Sequence, residues 1–344
     1  MDLFDEMQWK MNIKQWGREL GFVSIGFTTA EPIDCLAPVL QTRFEQGLAT
    51  PFEGQEIQLR IAPQANWQSC LTVVVLAYPL PYSSPPREGE GVIARSAIGE
   101  DYHRVVGRKI NQLAEAMVND GWRGTFRRQV DNGPLVERAF ALRAGIGWIG
   151  RNQNLIIPGC GSFVTLALLL LDQEIEPDHP GIKDQCGTCR RCVQACPAQI
   201  LGKEQFAAKH CVSYLTQCKW PLTPEEGERL DLRIFGCDTC QEVCPHNQKR
   251  IKEEQAYPSP APLRRGVDLM EILNLTKGEF QKQFKATAAG WRGKGVLQRN
   301  AFLALRNMQD GRDKLWLAER RNKRSVPPMI TPYLQGYSGR CQEA

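Results

Sequence analysis

Two cysteine runs carry the most specific chemistry in this chain. The first is Cys186-x2-Cys189-x2-Cys192-x3-Cys196-Pro197, and the second is Cys237-x2-Cys240-x3-Cys244-Pro245. Thiolates at i, i+3 and i+6 can wrap one face of a cubane iron–sulfur cluster. The fourth cysteine, before proline, then faces away and ligates a second cluster. The second run lacks the leading cysteine: Gly236 precedes Cys237 with no cysteine close upstream. Two such clusters need four thiolates each, and the runs supply seven. Cys211 and Cys218 are the other cysteines of the region. Cys211 is favoured, because a helix expected over 203–210 would pack it beside the clusters. Cluster one then takes Cys186, Cys189, Cys192 and Cys244; cluster two takes Cys196, Cys211, Cys237 and Cys240. Structural zinc on the Cys-x2-Cys pairs is the rival reading, and two Cys-Pro endings at this spacing weigh against it. Paired clusters conduct single electrons. A carrier alone would need only this region, yet 185 residues precede Cys186, so a reaction is expected in the N-terminal part.

The thirteen cysteines of this 344-residue chain bear on its compartment. Its start, MDLFDEMQWK, is acidic where a secretory signal is basic and then apolar. A cytoplasmic location is expected, where thiols stay reduced and clustered cysteines bind metal rather than pair. Cys35, Cys70, Cys160, Cys218 and Cys341 are scattered and read as small apolar residues. The most apolar stretch, 163–171, is too short for a bilayer, which takes about 20 residues. The net charge of +5 is uneven: residues 249–344 hold 19 Lys+Arg against 9 Asp+Glu. A basic C-terminal part on an acidic body suggests an anionic partner. A solvated helical face is the plainer alternative.

The elements that must position these groups follow from periodicity. A helix is predicted over 1–20, strands over 21–28 and 71–78, a helix over 101–120, a strand over 125–130, a helix over 133–144 and a strand over 162–171. This alternation indicates an α/β N-terminal domain, 1–175. Linkers are expected at 172–184 and 255–265, with a bacterial ferredoxin-like two-cluster domain, 176–255, between them. Amphipathic helices predicted over 267–285, 296–308 and 314–324 make a small all-α, helical-repeat-like C-terminal domain, 256–344. In 131–155, Asp131-Asn132-Gly133-Pro134 predicts a turn opening a helix. Gly145, Gly147 and Gly150 allow close backbone approach. A dinucleotide loop is discounted, because no strand leads directly into these glycines.

The sequence resembles the epoxyqueuosine reductases. The resemblance rests on ARSAIGEDYH (94–103), the DNGP…ERAFALRAGIGWIGRNQNLI block (131–156), the two cysteine runs, HCVSYLT (210–216) and AAGWRGKGVLQRNA (288–301). Together these cover most of the chain. The family is implied to be cytoplasmic and to reduce the epoxide of epoxyqueuosine at the tRNA wobble position to queuosine, the last step of queuosine biosynthesis. It is implied to use cobalamin and two [4Fe-4S] clusters, a combination similar to that of the reductive dehalogenases. No Asp-x-His-x-x-Gly box supplies an axial histidine, and the resemblance implies base-off cobalamin.

By the same resemblance Asp131 is the proton donor, although by itself it also reads as a helix N-cap. The implied cobalamin contacts are Arg60, Ala97, Asp131, Asn152, Leu155, Ser213 and Asp238. His103 reads more simply as structural; His210 and His246 adjoin cysteine ligands and could tune a cluster. Arg151 stands where the family pattern has lysine, and His246 where it has an aromatic residue. Arg264, Arg265, Arg292, Lys294, Arg299, Arg320, Arg321, Lys323 and Arg324 could meet RNA phosphates. Trp291 could stack on a base, with helix packing as the alternative. The target base must splay out to react. An electron donor of low potential and a monomer are expected. Other readings are a corrinoid reductase of small molecules, dehalogenase-like, and an iron–sulfur carrier without chemistry of its own.

Overall fold

The computed structural model describes residues 3–178, 181–256, 264–323 and 326–334. Arg324 and Cys341 lie outside them, as does most of the expected linker 255–265; so do the side chains of Arg321 and Lys323. The chain divides into two compact units, each assembled from three stretches. One comprises Met1–Leu80, Tyr102–Ala208 and Cys240–Lys252; the other comprises Pro81–Asp101, Lys209–Thr239 and Glu253–Ala344. The consecutive blocks 1–175, 176–255 and 256–344 divide the chain by its motifs; these units divide it by contact.

In the first unit the strands Ser24–Thr29, Thr72–Pro79, Val164–Leu171 and Phe126–Gln129 form one sheet in that order. Every neighbouring pair is antiparallel. This departs from the open α/β pattern that alternating helices and strands suggest. The reason lies in what covers the sheet. Successive side chains of a strand point to opposite faces. Val74, Leu76, Leu169 and Leu171 pack on one face with Ile13, Val106, Ile110, Leu113 and Met117. Val73, Val75, Leu168 and Leu170 pack on the other with Phe140, Ala141 and Ile146. Both faces are dry, so the central strands are continuously apolar like those of a parallel sheet. The helix Tyr102–Asn119 supplies Val106, Ile110, Leu113 and Met117 at helical spacing, one stripe buried against the sheet.

The second unit holds a small sheet in which Gly91–Ile93 lies between Arg233–Phe235 and Gly266–Val267, so its C-terminal stretch is not wholly helical. The helix Lys294–Met308 runs through its core with Val296 to Leu305 buried. The single helix predicted over 267–285 is two, Leu269–Asn274 and Lys277–Gln283. Thr276 begins the second with a reciprocal capping box to Glu279, which satisfies the free N–H groups of the new helix start. Arg299 is fully buried. It donates to the carbonyls of Leu215, Cys218 and Trp220 and to Asn300 Oδ1. Asn300 in turn donates to the carbonyls of Thr216 and Ile234. Together they fasten the 211–220 segment and the Arg233–Phe235 strand to one helix. No helix among the described residues is long and apolar enough to cross a membrane.

Candidate functional site

In the first unit the Cys186, Cys189, Cys192 and Cys244 thiols converge. Burial raises Cys192 above its ordinary range, and the neighbouring Cys186, Cys244 and Cys189 add to the rise. Burial raises Cys244 likewise, with contributions from Cys186 and Cys189. Protein groups alone therefore favour the neutral thiols here, and metal binding would have to release their protons. The chain holds the set in place by local bonds. Cys186 N–H donates to Asp184, Cys189 N–H donates to the Cys186 carbonyl, and Arg151 donates to the Gly187 carbonyl at 2.6 Å. The Cys244 turn is pinned by buried Asn247. Its Oδ1 accepts the Ser162 N–H, and its Nδ2 donates to Ser162 Oγ and the Gln241 carbonyl. His246 meets Trp148 edge-on at 4.9 Å. Among the described residues no three His, Cys, Asp or Glu side chains are drawn in as a single-ion site. Tetrahedral zinc needs its sulfurs about 3.8 Å apart.

Of the second foursome, Cys196 and Cys240 belong to the first unit and Cys211 and Cys237 to the second. Asn154 Nδ2 lies 3.9 Å from Cys240 Sγ, a donor to sulfur that the sequence reading missed although it sits in the 131–156 block. Within the second unit, Thr216 Oγ1 accepts the Gly236 N–H at 2.8 Å, tying the segment after Cys211 to the loop of Cys237. The helix expected over 203–210 is absent. A single 3-10 turn, Ala208–His210, precedes Cys211, because 203–207 offers only Phe206 and Ala207 as apolar residues, too few for a buried helical stripe. Cys218 is fully buried, its thiol donates to the Tyr214 carbonyl, and burial pushes it up to about 11. It behaves as an inert core thiol, which favours Cys211 on new grounds.

Asp131 does not cap a helix. The helix Glu137–Arg143 begins six residues later with Val136 at its N-cap. Asp131 instead sits at φ 57°, at the centre of a three-residue turn closed by the Asn132 N–H on the Val130 carbonyl, 2.6 Å. A γ-turn with positive φ is rare and strained, at a cost of about 1–3 kcal/mol for such a backbone. The surroundings hold it. Buried Gln129 donates to the Leu135 carbonyl and accepts the Leu135 N–H, and also donates to Glu137 Oε1. Glu137 Oε1 accepts the Asp131 N–H at 2.7 Å. A Cβ on Gly133 would stand about 2.0 Å from the Gln129 side chain, so only glycine fits. The Asp131 side chain is 55% exposed. Its Oδ2 accepts the Tyr102 hydroxyl and lies 3.5 Å from His103 Nε2. Tyr102 and His103 stack at 4.1 Å. Burial, with the adjacent Asp131 carboxylate, pushes Glu137 up to about 8. Glu137 and Tyr102 escaped the sequence reading. Both stand in blocks that carry the resemblance, Tyr102 next to His103 and Glu137 six residues after Asp131, which was the signal available.

The other residues expected at the cofactor divide by unit. In the first, Arg60 lies 3.3 Å from Glu53, which Arg43 also reaches at 3.1 Å. Burial lowers Arg138, and the Arg43 and Arg60 charges add to that. Three guanidiniums against the Glu53 and Asp131 carboxylates leave a cationic excess suited to an anion. Asn152 is buried; its Oδ1 accepts the Asn154 N–H, and its Nδ2 has no partner. Such a buried donor calls for an acceptor. A Cβ on Gly147 would stand 2.3 Å from the Ile156 carbonyl, which brings this backbone close to the Leu155–Ile156 strand. Leu155 itself is core. The unpaired amide and the arginines fit a large ligand bearing amides and a phosphate, as cobalamin does. In the second unit Ala97 is buried in a 3-10 turn. The Ser213 carbonyl accepts the Thr216 hydroxyl and Gln217. Asp238 is buried, takes the Arg95 N–H at 2.8 Å, and lies 3.6 Å from Arg265.

The basic residues of the second unit separate into two kinds. Arg299 and Arg265 are buried and bonded within the unit, so neither reaches a phosphate as expected. Lys294 donates to the Leu275 carbonyl, and Arg320 lies over Trp316 at 4.8 Å. Arg264 remains exposed. Trp291 is 53% exposed, so helix packing does not account for it. Arg292 lies over its ring at 4.5 Å, and Gln217 takes its indole N–H at 3.0 Å.

Two family models match: "Epoxyqueuosine reductase QueG, DUF1730" over residues 60–132 and "4Fe-4S double cluster binding domain" over 185–247. The epoxyqueuosine reductase of Staphylococcus aureus is 34% identical over 313 residues, 89% of this chain and 82% of that protein. A solved epoxyqueuosine reductase bound to an epoxyqueuosine-modified tRNA-Tyr stem loop is 33% identical, with a TM-score of 0.81 over 91% of this chain and 85% of that one. A Bacillus subtilis epoxyqueuosine reductase, with its catalytic aspartate loop swung out of the active site, is 32% identical, with a TM-score of 0.82 over 94% and 88%.

The raised Glu137 value makes stability depend on pH. Between its ordinary 4.5 and about 8 the folded chain keeps a proton that the unfolded chain has released. Stability therefore falls as pH rises through that window. Glutamine avoids the cost. Glu137→Gln is expected to gain stability on the parent between pH 5 and pH 8, by about 2 kcal/mol after allowance for solvent screening, read from thermal or urea unfolding. A difference that stays constant with pH would refute the assignment.

Proposed function

We propose that this chain, which belongs to the epoxyqueuosine reductase family, reduces the epoxide of epoxyqueuosine at the wobble position of tRNA to queuosine. The observation that carries the reading is the Asp131 carboxyl, presented to solvent from a strained turn between Tyr102 and His103. The reaction breaks both carbon–oxygen bonds of the epoxide, consumes two electrons and two protons, and releases water. Cobalamin and two [4Fe-4S] clusters, when bound, supply the electrons. The protons are the protein's task. Asp131 protonates the departing oxygen, and Tyr102 and His103 orient its Oδ2 toward that oxygen. Arg43, Arg60, Arg138 and Asn152 hold cobalamin through its phosphate and amides, with Ala97, Leu155, Ser213 and Asp238 as further contacts. Cluster one is held by Cys186, Cys189, Cys192 and Cys244, and cluster two by Cys196, Cys211, Cys237 and Cys240. Residues 1–175 carry the chemistry, 176–255 the electrons and 256–344 the RNA. The stretch containing Trp291 and Arg292 receives RNA by stacking and charge, in a monomeric cytoplasmic enzyme.

Three measurements test this. Asp131→Asn is expected to lower turnover of epoxyqueuosine tRNA by about 10²–10⁴-fold while iron content is kept; full turnover would refute the proton donor. After anaerobic reconstitution, Cys211→Ser is expected to lose the iron of one cluster, and Cys218→Ser to keep both. The opposite pattern would move the eighth ligand. Trp291→Ala is expected to weaken binding of the anticodon stem loop by about 1–3 kcal/mol, and unchanged affinity would remove the stacking role.

A further inference from the structure

We propose that Glu137 is the positioning residue of the reaction: its Oε1 holds the Asp131 backbone N–H, and through it the Asp131 carboxyl, in the orientation that delivers the proton. This rests on Asp131 being the proton donor and deepens that reading.

The argument is geometric. Asp131 occupies a positive-φ backbone conformation, uncommon for a residue other than glycine. Its side chain is largely solvent-exposed, so packing does not fix it. Tyr102 and His103 orient its carboxylate, and the bond from the Asp131 N–H to Glu137 at 2.7 Å ties the backbone that carries it to the following helix. Glu137 is itself fixed. It opens the helix Glu137–Arg143, and its Oε1 also receives Gln129 Nε2 at 3.2 Å. Gln129 ends the Phe126–Gln129 strand, is buried, and grips Leu135 in both directions. A chain of bonds thus runs from the sheet through Gln129 and Glu137 to the Asp131 N–H. The role belongs to an acceptor atom at one distance from the helix and needs no negative charge. The other groups that bear on Glu137 are the Asp131 carboxylate and His103.

Two conservative variants separate acceptor from charge. Glu137→Gln keeps an oxygen at the same reach and cannot ionise. Glu137→Asp keeps an ionisable carboxyl and withdraws the oxygen by one methylene. Each is assayed with epoxyqueuosine stem-loop RNA on reconstituted protein, with iron content and RNA affinity measured beside turnover. Glu137→Gln is expected to keep most of the parent kcat. Glu137→Asp is expected to lose about a hundredfold in kcat, with KM for the RNA and iron content unmoved. Were the aspartate variant active and the glutamine variant impaired, the carboxylate charge would be the agent and the proposal would fall. Parental turnover in both variants would leave Glu137 without a role, and equal impairment of both would contradict an acceptor role. Failure of the Asp131 reading shows separately: Asp131→Asn would then stay active whatever Glu137 variants do.

Discussion

One buried glutamine sets the geometry of the candidate proton donor. Gln129 ends a strand whose backbone is paired along Val164–Leu171, and its side chain spends its amide on Leu135 and Glu137. An amide can donate and accept at once, so a single residue ties both ends of the 130–136 turn. The turn has no core of its own; Asp131 and Asn132 are exposed. Its shape is inherited from the sheet. The close fit of Gly133 against Gln129 shows how little slack remains. Strain at Asp131 is tolerated because the rest of the first unit over-determines it.

The cysteine architecture answers to a different constraint. Buried thiols resist ionisation, and neighbouring thiols resist it further, as Cys192 and Cys244 illustrate. A metal that binds such a set must displace the thiol protons, so its binding depends on pH. The surrounding protein invests in fixing backbone: Asn247 on the Cys244 turn, Asp184 on Cys186, Arg151 on the Gly187 carbonyl. Arg151 was notable in the sequence as a departure from lysine. Its place in the structure shows the guanidinium reaching a backbone carbonyl, a contact made by one arm of a planar fork.

Charge in the second unit serves two ends that composition cannot separate. Arg299 and Arg265 are internal; their donors satisfy backbone carbonyls and the buried Asp238. A charge so placed is costly unless its hydrogen bonds are complete, and Arg299 meets that condition with three carbonyls and an amide. Arg264 and Trp291 are exposed, while Arg292 is half-buried and donates to the Gln217 carbonyl. Lys277, Lys282, Lys285, Arg306 and Lys314 are exposed as well, and add to the field that an anionic partner meets.

The cysteine spacing was legible in sequence because ligand geometry around a cluster is local: i, i+3 and i+6 are fixed by a few residues of chain. The turn at Asp131-Asn132-Gly133-Pro134 was legible for the same reason, as were the strands Thr72–Pro79 and Val164–Leu171. What only the tertiary structure decided depends on partners distant in sequence. The antiparallel sheet is one case, since two dry faces erase the polar alternation that would have betrayed it. Cys211 and Cys218 are another: seven residues apart, one half-buried and the other sealed in the core. Asp131 is the third. Whether it caps a helix or stands in a strained turn rests on a glutamine in a strand before it and a glutamate at the helix start beyond it. Spacing announces which atoms can meet along one element; burial and hydrogen bonding between elements determine which of them do.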